Sequence, residues 1–197
     1  MLAGRPDLVF HLAAIVSGEA ERDFDKGYRI NLDATRGLLE DIRKAEGWCP
    51  RLVFTSSIAV FGRPFPAVIP DDFAPAPLTS YGAQKAISEL LIADYSRRGF
   101  VEGLSVRMPT LVVRPGKANL AASGFFSNIL REPLAGLPAV LPVPDTVRHW
   151  FASPRAAVGY LIHAAGLDFA DLGGPPTLTL PGLSATVAEE IAALRAV

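Results

Sequence analysis

Short apolar runs alternating with long amphipathic stretches constrain this chain more than any single motif does. Asp7-Leu8-Val9-Phe10-His11-Leu12-Ala13-Ala14 is a nearly continuous apolar run, the pattern of a strand buried on both faces. A helical pattern follows, with Tyr28, Leu32, Thr35, Leu39 and Ile42 on one face and Arg29, Asp33, Arg36, Glu40 and Arg43 opposite. Gly47 and Pro50 end it. Arg51-Leu52-Val53-Phe54 reads as a second buried strand that closes in Thr55-Ser56-Ser57. A proline-dense loop from about Ile58 to Ser80 fits neither period. Thr79 or Ser80 caps the next helix, which runs to about Arg98 with Ile87, Leu90, Leu91 and Ala93 inward, and Gly99 stops it. Leu104–Met108 and Leu111–Val113 form a third strand segment, broken at Pro109.

Strand, helix, strand, helix, strand at these lengths builds a parallel sheet with helices on both faces. Right-handed crossovers put every strand's carboxyl end on one edge, where ligands bind. Ala13-Ala14, Ser56-Ser57 and Pro109-Thr110 all fall at such ends. Beyond Gly116 the texture changes. Residues 123–136 read as a helix, Ala139-Val140-Leu141 as a short strand and Pro154 to Ala165 as a helix. Thr177–Leu180 reads as a strand, and Ser184 is placed as the cap of a final helix over residues 185–196.

The bulk properties exclude several classes. A net charge of −1 with no basic run argues against nucleic acid as a partner. No stretch approaches the ~18 uninterrupted apolar residues of a membrane span. The opening Met1–Asp7 is too short and polar for a signal peptide. A lone Cys49 forms no internal disulfide and fits a reducing cytoplasm. His11, His149 and His163 are scattered without ligand spacing, so no metal is expected.

Against this frame Tyr81 and Lys85 carry chemistry. Residues i and i+4 share a helix face, so the ammonium can lie beside the phenol. A phenol with a pKa near ~10 is a poor base at neutral pH, and a fixed cation favours its ionised form. A hydroxyl from Ser57, or from Ser56 if the strand ends one residue earlier, completes a group able to deprotonate an alcohol. On spacing alone, an amphipathic helix with a partly buried tyrosine and a solvated lysine is the favoured reading of the same residues.

The combination of strings resembles the extended short-chain dehydrogenase/reductase superfamily, in its NAD-dependent epimerase/dehydratase group. The resemblance is carried by His11-Leu12-Ala13-Ala14, Asn31–Thr35, Phe54–Ser57 leading to Val60-Phe61-Gly62, Tyr81-Gly82 with Lys85, Arg114-Pro115-Gly116 and Arg148–Phe151. Ser17–Glu21, Arg107–Gly116 and Ser123–Leu134 are most similar to a branch that oxidises a D-erythronate-like, four-carbon sugar acid with NAD. The resemblance implies a Rossmann-like α/β fold: residues 1–116 as the later part of a doubly wound nucleotide-binding domain, and residues 117–197 as part of a substrate-binding lobe interleaved with the last sheet elements. It implies Ser57, Tyr81 and Lys85 as catalytic residues. The serine would orient the substrate hydroxyl, the phenolate would take its proton, and the carbinol hydrogen would leave as hydride. Leu12, Ala13, Ala14, Asn31, Tyr81, Lys85 and Pro109 would lie on the cofactor side, the cofactor being NAD with NADP left open. Asn31 reads equally as a polar residue satisfying a nearby backbone group. Ser17, Ser57, Tyr81 and Arg148 would meet the substrate, with Arg148 the carboxylate's partner or a plain surface arginine. The superfamily also implies a homodimer through two long helices, about residues 19–46 and 80–98. Two other functions share the scaffold, a nucleoside-diphosphate-sugar epimerase or dehydratase and a non-catalytic cofactor sensor. The sequence has no Gly-rich phosphate-binding turn and no strand before Asp7 with the acidic residue that selects NAD. The chain is therefore expected to be a fragment of the fold, to bind dinucleotide poorly by itself, and to leave an apolar sheet edge uncovered.

Overall fold

The computed structural model describes residues 4–116 and 120–197. The boundary expected at residue 117 lies outside the described residues. The chain forms a parallel sheet of four strands in the order β1 (Leu8–His11), β2 (Arg51–Ser57), β3 (Glu102–Met108) and β6 (Thr177–Thr179). A second sheet holds β4 (Thr110–Leu111), β5 (Arg148–Ala152) and β7 (Leu183–Thr186), with β5 antiparallel to β7. Pro109 is the single residue between β3 and β4, so the chain passes from one sheet to the other there.

Side-chain alternation along β2 sorts the core. Leu52 and Phe54 pack with Leu39 and Ile42 of α3 (Ala34–Lys44) and Ile92 of α4 (Ser80–Arg97). Val53 points the other way, with Leu104, Val106 and Ala164 of α6 (Pro154–Ala165). Burying each such side chain stabilises the fold by roughly 1.5–3 kcal/mol. A third cluster, Phe126, Ile129, Phe151, Ala185 and Val187, joins α5 (Gly124–Leu134) and α7 (Val187–Arg195) to the second sheet.

Several expected elements shift. The first long helix is interrupted: α1 (Ser17–Arg22) stops at Asp23, and α2 (Phe24–Gly27) leads through a π-helical turn, Tyr28–Asp33, into α3. The wider turn carries Asn31 inward. The expected inner face of α4 holds only in part, with Leu91 packed against the first core. Ile87 and Leu90 are exposed, while Gln84, Lys85, Ser88, Glu89 and Ile92 are buried, because polar partners on the neighbouring elements claim that face. Thr79 caps α4, accepting from the Gly82 amide at 3.0 Å, and Gly99 ends it in the left-handed region at φ +73°. Ser184 does not cap the last helix. It lies inside β7, and Thr186 caps α7 in a reciprocal box with Glu189. Ala139–Leu141 pairs with no strand, and Ala139 and Leu141 pack against the third core instead. β1 is not buried on both faces. Among the described residues it pairs with β2 alone, and Leu8, Phe10 and the following Leu12 are exposed.

One buried charge stands without a partner among the described residues. Glu190, on the inner face of α7 with Val187, is 7% exposed, and neither carboxylate oxygen has a hydrogen bond. Burial pushes its carboxyl up to about 7 from 4.5. An acid held more tightly protonated in the folded state costs stability as it ionises. Its effect is least below pH 4.5 and grows as pH rises through about 7. Glu190→Gln is therefore expected to add roughly 1–3 kcal/mol at pH 8 and little at pH 4.5, read from urea unfolding at both values. An equal effect at the two pH values would contradict this.

Candidate active site

The carboxyl ends of β1, β2 and β3 gather some of the residues that the sequence pointed to, Leu12–Ala14, Ser57 and Pro109, beside the first turns of α4. Because Phe54 faces α4, the pleat sends Ser56 to the same side, and Ser57 closes the strand tip beside the first turn of that helix. Ser56, 2% exposed, donates to the Glu89 carboxylate. Ser57 is half-buried, its hydroxyl accepts from the Ala59 amide at 3.1 Å, and its side chain is the polar group that offsets burial at the Tyr81 phenol. Ser57 is thus the hydroxyl that meets Tyr81, and Ser56 belongs to the network behind it.

The first turn of α4 reaches Ser57 because Gly82 has no side chain. A Cβ there would stand 2.2 Å from the Ala59 carbonyl oxygen and 3.0 Å from Pro77. Lys85, one turn on and 2% exposed, donates to the Thr55 carbonyl at 2.7 Å. Its ammonium lies 4.5 Å from the centre of the Phe54 ring and 5.7 Å from that of Tyr81. Burial lowers the Lys85 pKa to about 8, and the nearby Glu89 charge works in the opposite direction. Spacing alone assigns Lys85 the lowering of the phenol. In the structure burial raises the Tyr81 pKa, and the Ser57 side chain is the counterweight.

Leu12, Ala13 and Ala14 follow β1 as an exposed, mostly small-side-chain shelf. Asn31 secures it. Its side chain accepts from the Ile15 amide at 2.8 Å and donates to the Ile15 carbonyl at 3.3 Å and to Gln84 Oε1 at 2.7 Å. Of its two readings the structure shows the backbone-satisfying one. Pro109 is buried at the bend between the sheets. Ser17 sits at the start of α1 and accepts from the Ala122 amide at 3.0 Å, tying that helix to the loop before α5. Arg148 is not drawn to the phenol. It donates to the Ser184 carbonyl at 3.1 Å and pairs with Glu189 at 3.4 Å on an exposed surface.

Four residues escaped the sequence reading of the site. His11 Nε2 lies 2.8 Å from Thr35 Oγ1, which in turn donates to the Asn31 carbonyl. Burial, and next the Lys85 charge, lower its pKa to about 4, so the ring is neutral at pH 7. Glu89, Arg107 and Thr35 were the others. Glu89 was open to detection, since it continues the i+4 series Tyr81, Lys85, Glu89.

The residues present fit the nicotinamide half of a dinucleotide. Lys85 has three N–H donors, and Thr55 is its one hydrogen-bonded acceptor among the described residues, beside a shelf that a sugar ring can approach. A parallel α/β sheet with a serine, tyrosine and lysine converging at its carboxyl edge defines the short-chain dehydrogenase/reductase class. Residues 1–151 match the NAD dependent epimerase/dehydratase family, and the chain belongs to it. It is 56% identical over 96% of its length to a D-erythronate dehydrogenase of Cupriavidus necator and 48% identical over 98% to one of Haemophilus influenzae. It spans 58% and 61% of those two proteins. A crystal structure described as a nucleoside-diphosphate-sugar epimerase from Agrobacterium tumefaciens superposes with a TM-score of 0.94 at 66% identity, covering 100% of this chain and 58% of that one. No helix among the described residues is long and apolar enough to cross a membrane.

Gly82→Ala tests the close approach. A methyl 2.2 Å from a backbone oxygen must push α4 away from the turn after Ser57. A loss of roughly 1–3 kcal/mol in urea unfolding is expected, with Tyr81 fluorescence changing relative to the parent. An unaltered unfolding midpoint would show that the contact is dispensable.

Proposed function

We propose that this chain carries the catalytic half of an NAD-dependent dehydrogenase acting on a secondary hydroxyl of a small sugar acid such as D-erythronate. The observation that carries the reading is the convergence of Ser57, Tyr81 and Lys85 on one point at the sheet edge. The two D-erythronate dehydrogenases matched along nearly the whole chain support the substrate class. When bound, NAD supplies the hydride acceptor; NADP is the alternative. The chain's own residues supply the rest. Ser57 orients the substrate hydroxyl, Tyr81 takes its proton at the phenol oxygen, and Lys85 places a charge and hydrogen-bond donors beside both. Leu12, Ala13 and Ala14 give the cofactor an uncluttered approach, and Asn31 acts through the loop it clamps. Ser17 and Arg148 are assigned to the substrate side, the guanidinium matching a carboxylate. A reducing cytoplasm suits the exposed free Cys49.

In a protein of the relatives' full length that carries this segment, NADH formation with D-erythronate is the direct assay. Tyr81→Phe is expected to lower kcat about 10²–10⁴-fold. Full turnover in the Phe variant would remove Tyr81 as the base. The name attached to the Agrobacterium tumefaciens structure favours a second reading, epimerisation of a nucleotide sugar. Interconversion of nucleotide sugars without net NADH would select it. Binding of cofactor with neither reaction would select the sensor.

Two copies are proposed to pair through α4 and the helices from α1 to α3. Ile87 and Leu90 supply the support, since both face solvent on α4 at 37% and 72% exposure. Light scattering should give a dimer at micromolar concentration and a monomer for Leu90→Glu. A monomeric parent protein would refute the pairing.

A further inference from the structure

Behind the site lies a buried polar cluster that the proposed reaction does not use. Glu89 accepts from Ser56 and takes three contacts from Arg107, Nη2 to Oε2 at 2.8 Å and Nε to Oε1 at 3.1 Å and to Oε2 at 3.3 Å. Glu89 is 5% exposed, Arg107 7% and Ser56 2%. The Arg107 guanidinium also lies 4.9 Å from the centre of the Phe61 ring. A pair this deep gains little net stability over apolar residues of the same shape, because both ions lose their hydration. Its placement is more telling than its strength. Three successive residues of β2 engage three residues of α4: Thr55 with Lys85, Ser56 with Glu89 and Ser57 with Tyr81. Glu89 is one helical turn from Lys85, so its charge acts on the ammonium while its oxygen holds the strand tip.

We propose that Ser56, Glu89 and Arg107 form a positioning network that fixes the Ser57 strand end and keeps the Lys85 ammonium charged at the site. The groups around Lys85 give the direction. Neutral His11 faces it from β1, the Thr55 carbonyl and Phe54 ring from β2, and Tyr81 and Glu89 from its own helix. Glu89 is the anion among them, and Arg107 approaches from β3 through Glu89. Removing the carboxylate's charge leaves burial and a second cation to drive Lys85 toward the neutral amine.

The test is the titration of Lys85 in the 197-residue chain, followed by the ¹³Cε shift of labelled lysine and assigned through Lys85→Met. Glu89→Gln keeps the side-chain shape and is expected to lower the apparent pKa of Lys85 by about 1 or more. Glu89→Asp keeps the charge and should restore most of the parent value. If Glu89→Gln does not fold, Glu89→Leu with Arg107→Met decides. Apolar replacement of a buried pair is commonly tolerated, and the loss of the nearer charge should still lower Lys85. A folded variant lacking the Glu89 charge in which Lys85 titrates as in the parent overturns the network. The role of Lys85 in hydride transfer rests on the function proposed above, and the titration separates the two claims. A shifted Lys85 in a full-length protein without dehydrogenase activity would sink that function and keep the network. An unshifted Lys85 in an active enzyme would do the reverse.

Discussion

The docking of a polar helix face on the tip of β2 is the constraint on which this structure depends. α4 buries Gln84, Lys85, Ser88 and Glu89 where an ordinary amphipathic helix would bury leucines. Each of these groups loses water on folding and must find a partner or cost about 1–3 kcal/mol. The partners are directional: the Thr55 carbonyl for Lys85, Asn31 for Gln84 Oε1, Ser56 and Arg107 for Glu89, and the Gln84 backbone carbonyl for Ser88, while Gln84 Nε2 has no hydrogen-bond partner among the described residues. Leucines would allow α4 to slide by a fraction of a turn. These bonds do not, and Tyr81 therefore arrives at Ser57 in a defined place.

The elements around this contact divide the labour. The π-helical turn before α3 brings Asn31 inward, and Asn31 holds the loop after β1 from both its amide and its carbonyl. The Gly82 approach closes α4 onto the turn after Ser57. Pro109, buried between β3 and β4, sends the chain into the second sheet beside the same edge. α6 then packs on the far face of the first sheet, and β6 extends its edge beside β3. The site thus lies at a seam between two cores, where side chains from distant parts of the chain meet.

Much of this was legible from periodicity. The strand runs read at residues 7–14, 51–57 and 104–108 overlap β1, β2 and β3, and the helix at 154–165 stood out because apolar spacing and terminal signals agreed. The shared face of Tyr81 and Lys85 was readable because residues four apart on a helix are neighbours whatever surrounds them. The inner face of α4 was not. Hydrophobicity ranked Ile87 and Leu90 above Lys85 and Glu89, and the ranking failed because burial there follows available partners rather than apolar area. The cap of α7 was missed for a related reason. Ser184 and Thr186 are equally good caps in sequence, but Ser184 lies inside β7 and Thr186 is its last residue, directly before α7.

From its own residues the sequence determined an alternating α/β chain whose strand ends share one edge and whose Tyr81 and Lys85 share one helix face, because those properties follow from local geometry. Only the tertiary structure decided that Ser57 and not Ser56 meets the phenol, that Asn31 clamps a loop, and that Glu89 and Arg107 lie paired behind the site. Those outcomes depend on which side of a sheet each side chain reaches and on what waits there. Spacing along a single strand or helix does not contain that information.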